Sequence, residues 1–266
     1  MHPSLKKLKK YFQNEPQAIL AFLFGSFAKD CSTDESDIDL AVYLKDNGKG
    51  ETIRQKIAKL LKKDFDFIYL DQAPATLVSN ILKTGIPFAI KDKKLYWKLY
   101  LEKSLEAEDF LDFAKGFYRI YKKSRSLIPE EKVRLLERVQ FLDSELEELD
   151  VFKKITFEDY RTDKSKRRNI ERWTENIINA MIDISKIVLA SEKKQMPKTY
   201  EEVLSSLALF TGLSENQAGR FSRIARLRNI LAHEYLDILY QQLRGFIKIF
   251  PSIYKHIWVF LQKYLE

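Results

Sequence analysis

Two short segments of this 266-residue chain hold residue types suited to chemistry at phosphorus. The first is Phe24-Gly25-Ser26-Phe27-Ala28, followed by Ser36-Asp37-Ile38-Asp39-Leu40. Asp37 and Asp39 lie one residue apart at the start of an apolar run, and on a strand alternate side chains share a side. Two neighbouring carboxylates repel unless a cation sits between them, and oxygen-rich sites suit magnesium. Gly25 lets backbone amides approach an anion closely, and Ser26 offers a hydroxyl to a phosphate. The plainer reading of the acidic pair is a surface turn between strands. The second segment is Arg226-Leu227-Arg228-Asn229-Ile230-Leu231-Ala232-His233-Glu234-Tyr235. Arg228 and His233 stand roughly 140° apart around an ideal helix, so one helix does not bring them to a common face. By residue type alone this second segment is weak, since a lone His near a helix end is most often a hydrogen-bonded surface or interface residue.

Strands must position the first segment. Ala18 to Phe24 is an apolar run short enough for a buried strand, Gly25-Ser26 breaks it, and Ile38 to Leu44 is a second run. Ser4 to Phe12 has the spacing of a short amphipathic helix, and Asn47 to Gly50 reads as a loop. Ile53, Ile57, Leu60 and Leu61 mark a helix over Glu51 to Leu61. A strand follows at Asp64-Phe65-Asp66-Phe67-Ile68-Tyr69-Leu70, where alternation places Asp64, Asp66 and Ile68 on one face and Phe65, Phe67 and Tyr69 on the other. Pro74 suits the first turn of a helix that stops at Gly85, and Ile86 to Ile90 is a further short strand. Alternating strands and helices predict a small mixed α/β domain.

From Leu95 onward the pattern is helical. Leu105 to Tyr121 is one long candidate, and Pro129, with Glu130 and Glu131 behind it, marks a domain boundary and the start of the next helix. Phe157 to Lys166 is polar and reads as a loop, and Ile170 to Leu189 as a long buried helix. Thr199 to Leu209 follows. Ser214 and Gln217 form a capping-box signature for a helix running to Leu231. Two more helical segments, separated by Pro251, complete the chain. The expected fold is α+β: a mixed α/β domain over residues 1–128 and an all-helical bundle over 129–266.

Composition narrows the classes. Hydrophobic content of 45% with 32% charged residues describes a soluble globular protein. No apolar run approaches the roughly 20 residues that span a bilayer, and the Lys-rich start lacks the apolar stretch of a signal peptide. A single cysteine, Cys31, and three histidines exclude an internal disulfide and argue for no zinc site. A reducing, cytoplasmic setting is expected. The net charge of +8 suits a nucleotide or nucleic-acid partner. Residues 1–128 carry 23 Lys+Arg against 17 Asp+Glu, whereas 129–266 carry 23 against 21. Any nucleic-acid binding by the second half therefore needs a local patch. Arg220, Arg223 and Arg226 recur every third residue and could form one, although the spacing equally suits an ordinary solvated helix face.

The Gly-Ser-x10-Asp-x-Asp spacing resembles the nucleotidyltransferase superfamily related to DNA polymerase β, above all its minimal nucleotidyltransferases. The resemblance spans roughly residues 15–110 and includes Asp71-Gln72-Ala73-Pro74 to Gly85 and Ile86-Pro87-Phe88. It implies that Gly25 and Ser26 hold ATP and that Asp37 and Asp39 hold Mg2+. A third acid, Asp66, completes the metal site and deprotonates the acceptor hydroxyl, with Asp64 as the alternative acid and a solvated strand end as the plainer reading. Arg228 to Tyr235 is similar to the Arg-x4-His-x-Tyr signature of HEPN ribonuclease toxins. That likeness implies a homodimer whose shared cleft cuts RNA without metal through Arg228 and His233. Together the two resemble type VII toxin–antitoxin pairs, in which the transferase moves AMP from ATP onto the motif tyrosine, here Tyr235, and silences the ribonuclease. Both parts lie here in one polypeptide, a departure from the usual two-gene arrangement. Two other readings compete. One is a nucleotidyltransferase acting on a small molecule, like the aminoglycoside enzymes, against which the Arg-x4-His-x-Tyr motif argues. The other is a nucleotide-sensing scaffold without chemistry, against which the acidic triad argues.

Overall fold

The computed structural model describes residues 3–28, 38–61, 65–123, 127–230 and 236–265. They form two compact units, Met1–Leu111 and Asp112–Glu266. In the first, α1 (Pro3–Asn14) precedes β1 (Ala18–Phe24), a 3-10 turn (Gly25–Ala28), β2 (Ile38–Leu44) and a second 3-10 turn (Asn47–Lys49). Then come α2 (Gly50–Leu61), β3 (Phe65–Tyr69), α3 (Ala75–Thr84), β4 (Ile86–Ile90) and the start of α4 (Lys93–Tyr121). The strands form one sheet in the order β3-β2-β1-β4. β1 runs antiparallel to both β2 and β4, while β2 and β3 are parallel and joined by α2, the crossover that a parallel pair requires.

Alternation sorts the strand residues onto two faces. Ile38, Leu40, Val42 and Leu44 pack with Leu8 and Phe12 of α1 and with Ile53 and Ile57 of α2. Leu20, Phe22 and Ala41 pack on the other side with Val78, Ile81 and Leu82 of α3 and Leu99 of α4. A register shift between Ala18 and Leu20 lets the start of β1 change face.

The second unit continues α4 and adds α5 (Pro129–Glu147), α6 (Leu149–Lys153), α7 (Phe157–Thr162) and α8 (Lys164–Ser191). It ends with α9 (Tyr200–Phe210), α10 (Glu215–Ser222), α11 (Ile224–Ile230) and α12 (Leu236–Leu265). Helix α8 is its centre, packing against α5, α7, α9, α11 and α12 and burying Trp173, Ile177, Met181, Ile184 and Val188.

Three expectations of secondary structure change, and the compact units divide at another point than the domain boundary drawn from the sequence. The units divide within α4, between Leu111 and Asp112, upstream of the boundary drawn at 128/129. Phe113 and Phe117 are buried in the second unit, Phe113 edge-on to Tyr200 at 5.5 Å, and Lys193 donates to the carbonyls of Tyr121 and Lys123. Phe157 to Lys166 is not a loop: Thr156 caps α7, its hydroxyl accepting from the Asp159 amide while the Asp159 carboxylate accepts from the Thr156 amide. Asp163 then accepts from the Ser165 and Lys166 amides and opens α8 six residues before Ile170. The capping box at Ser214 is present, but the helix it opens breaks at Arg223. Conversely, Pro251 does not split the last helix. Phe246, Phe250 and Tyr254 stack at 5.1 and 5.7 Å along one buried face, and this packing carries α12 across the missing amide.

Candidate active sites

Sheet register assembles the acidic site. β1 ends at Phe24, whose partner across the antiparallel ladder is Asp39. Asp39 in turn stands opposite Asp66 in the parallel ladder of β2 and β3. Neighbouring strands lie about 4.8 Å apart, and partnered residues direct their side chains to the same face. Two carboxylates thus project side by side, next to the point where the chain leaves β1 as Gly25-Ser26. Asp66 is exposed and Asp39 half-buried. Phe65, Phe67 and Tyr69 pack into the opposite face, with ring centroids 6.4 and 5.5 Å apart along the strand. Their burial fixes Asp66 on the open side, the face that alternation assigned to it.

Gly25 has two reasons to be glycine. Its φ of +72° lies in the left-handed region. A Cβ there would also stand 1.8 Å from Oδ2 of Asp39, so only a bare Cα lets the turn close over the carboxylate. The sequence pointed to neither of these but to a third use of glycine, close backbone approach to an anion. The contact with Asp39 emerges only from the fold. Ser26 is half-buried in the same 3-10 turn. Asp37 and Asp64 lie outside the described residues. Among the described residues no group of three or more His, Cys, Asp or Glu comes together, so the described part of the acidic site is the Asp39–Asp66 pair.

The basic site rests on α11. Arg228 is half-buried there, with its guanidinium carbon 5.0 Å from the centre of the Tyr200 ring at the start of α9. A cation over an aromatic face is held by the ring quadrupole, and here the ring is itself wedged against Phe113. Nothing in the sequence marked Tyr200 beyond its place at a helix start. Arg226 pairs with Glu201, the residue after Tyr200, at 3.1 Å. His233 and Tyr235 lie outside the described residues. Arg220, Arg223 and Arg226 line one groove between α10–α11 and α12.

Two family models match separate parts of the chain. "Polymerase beta, Nucleotidyltransferase" covers residues 6–94, and "Ribonuclease HepT-like" covers residues 142–254. The protein adenylyltransferase MntA of Shewanella oneidensis is 29% identical over 119 residues, which is 40% of this chain and 86% of that protein. The tRNA nuclease HepT of Aphanizomenon flos-aquae is 30% identical over 108 residues, 41% of this chain and 74% of that protein. Among solved structures, a toxin–antitoxin with AMP-PNP shares 25% identity at a TM-score of 0.33, covering 42% of this chain and 94% of its own. A mutant of the MntA-HpeT toxin–antitoxin shares 23% at 0.34, covering 43% and 98%. No helix among the described residues is long and apolar enough to cross a membrane.

Proposed function

This chain belongs to the HepT ribonuclease family and carries a polymerase β-type nucleotidyltransferase domain ahead of the ribonuclease part, and we propose that the first domain silences the second by adenylylation. The observation that carries this reading is the register of Asp39 beside Asp66, closed over by Gly25. Ser26 and the backbone amides after Gly25 hold the triphosphate of ATP. Asp39 and Asp66, with Asp37, hold a divalent metal: the donor set is all carboxylate oxygen, which suits Mg2+. When bound, such an ion neutralises charge on the phosphates.

The hydroxyl oxygen of Tyr235 attacks the α-phosphorus of ATP. A new O–P bond forms, the bond from that phosphorus to the β-bridging oxygen breaks, and pyrophosphate leaves. The Asp66 carboxylate receives the phenol proton. In the unmodified protein, His233 moves the proton at the RNA 2′-hydroxyl or at the leaving oxygen. Arg228, held over Tyr200, offsets charge on the crowded phosphate. AMP on Tyr235 places a phosphate anion two residues from His233, where it blocks the cleft and neutralises the cations that attract RNA. A second copy of the chain completes the ribonuclease cleft, since one helix does not bring Arg228 and His233 to a common face.

Intact-mass spectrometry tests the reading directly. Incubation with ATP and Mg2+ adds an AMP unit to the wild-type chain, and neither Asp39→Ala nor Tyr235→Phe gains it. Tyr235→Phe still binds ATP and cleaves single-stranded RNA without metal, whereas His233→Ala does not cleave. Wild-type transfer by Asp39→Ala would refute the transferase assignment. AMP mapped to another residue would refute Tyr235 alone. Mixing Asp39→Ala with Tyr235→Phe asks whether transfer passes between chains, because only the former then offers an acceptor and only the latter an active donor.

A further inference from the structure

We propose that the groove between α10–α11 and α12 holds single-stranded RNA beside the cleaved bond, with its arginines on the backbone and one base on its apolar floor. The proposal rests on the ribonuclease reading above and names how that part grips its substrate.

The groove encloses about 400 Å³, within the range of small-ligand sites. Arg220, Arg223 and Arg226 form its rim, and all three are exposed. Arg226 is ion-paired with Glu201, but neither Arg220 nor Arg223 has a carboxylate partner among the described residues. Residues 129–266 hold 23 Lys+Arg against 21 Asp+Glu, so three cations gathered on one rim are a local excess in a nearly balanced unit. The complementary partner is a polyanion. Their three-residue spacing gathers them: Arg223 keeps helical dihedrals between α10 and α11, and residues three apart on a helix lie about 60° apart around the axis.

The floor separates a single strand from a duplex. Leu227 and Phe246, both buried, close the floor beneath half-buried Ile249, an apolar patch that an unstacked base can cover and a paired one cannot. Gln242, half-buried on the same wall, offers an amide to a base edge. Gly245 sits there in the interior of a 30-residue helix, where glycine is a poor helix former. A Cβ at that position would meet nothing within 4 Å, so no protein contact demands glycine. Its effect is to leave the floor bare. Arg226 on its rim is ion-paired with Glu201, the residue after the Tyr200 on which Arg228 lies, and Arg228 is two residues further along α11.

The probe is a fluorescein-labelled 2′-O-methyl RNA oligonucleotide, which the full chain can hold but not cut, followed by anisotropy at several salt concentrations. Arg220→Ala with Arg223→Ala is expected to weaken binding by roughly tenfold or more and to flatten the salt slope by about 1.4, at ~0.7 per lost phosphate contact. The double Lys variant keeps the slope. Gly245→Leu fills the groove and weakens binding while leaving the slope unchanged, with a circular-dichroism melt like the wild type. A duplex of the same sequence binds more weakly than the single strand. Wild-type affinity in both the double-Ala and Gly245→Leu proteins would overturn the groove while leaving RNA cleavage, and with it the ribonuclease reading, intact. A change of oligomeric state in Gly245→Leu with RNA binding untouched would make the groove a protomer interface and overturn the proposal. A full chain that neither binds nor cleaves any RNA would remove both.

Discussion

The acidic site of the first unit and the basic site of the second are built by different means. In the first, hydrogen-bonded register does the positioning: Phe24, Asp39 and Asp66 are consecutive partners across three strands, so residues far apart in sequence become neighbours at fixed spacing. In the second, Arg228 is positioned by side-chain contacts, one of them with a ring from another helix. Register is backbone geometry and tolerates little variation, because a slip of one residue would turn the acids into the core. A cation resting on a ring is held by a weaker and softer interaction. The first site should therefore fail abruptly when disturbed, and the second by degrees.

Gly25→Ala tests the abrupt case. The left-handed backbone penalises a side chain by about 1–2 kcal/mol, and the new Cβ would overlap the Asp39 carboxylate. Displacing a reacting group by about 1 Å costs on the order of 10²-fold. AMP transfer from labelled ATP should fall at least that far, while RNA cleavage by the same protein persists. Transfer within a few-fold of wild type would mean that Asp39 is not held by the turn. Tyr200→Leu tests the gradual case. Loss of the ring face removes about 0.5–2 kcal/mol, or ~2- to 30-fold. Cleavage of a defined RNA should drop by that factor with AMP transfer unchanged, and Tyr200→Phe should restore it. If Phe fails to restore cleavage, the ring is not what holds Arg228.

The smallest effect is expected in alkali. Burial, reinforced by a hydrogen-bonded carboxylate, holds the Tyr160, Tyr254 and Tyr264 phenols well above their ordinary range, through Glu171, Asp143 and Glu192 respectively. Among the described residues the first unit has one such group, Tyr11 with Glu15. A phenol whose folded pKa is raised contributes stability that is fully present below about pH 10 and lost as pH rises beyond it, because the unfolded chain releases the proton first. Amide exchange between pH 9 and 11 should show α7, α8 and α12 losing protection before the sheet does. Equal loss in both units would show that these phenols do not set the difference.

Legibility followed the same divide. Strand alternation alone placed Asp66 opposite Phe65, Phe67 and Tyr69, since a period of two leaves only two faces. The helical half was harder. Thr156 and Asp159 form a capping box as regular as that of Ser214 and Gln217, yet the polar stretch behind them resembled a loop, because α7 is one short, mostly exposed turn. Pro251 reads locally as a break, and only the stack of Phe246, Phe250 and Tyr254 shows why it is not. The break at Arg223 had no local mark at all.

The sequence by itself determined which residue types are available for chemistry: Gly-Ser followed by spaced acids in the first half, and Arg, His and Tyr at fixed intervals in the second. It also determined that strands would carry Asp39 and Asp66 and a helix Arg228, because periodicity and capping are local properties of the chain. The tertiary structure alone decided which residues touch. It set Asp66 against Asp39, Gly25 beneath the carboxylate, Tyr200 under Arg228, and three arginines on one rim. Those are contacts between elements, fixed by packing and register over long sequence separations, and no local pattern encodes them.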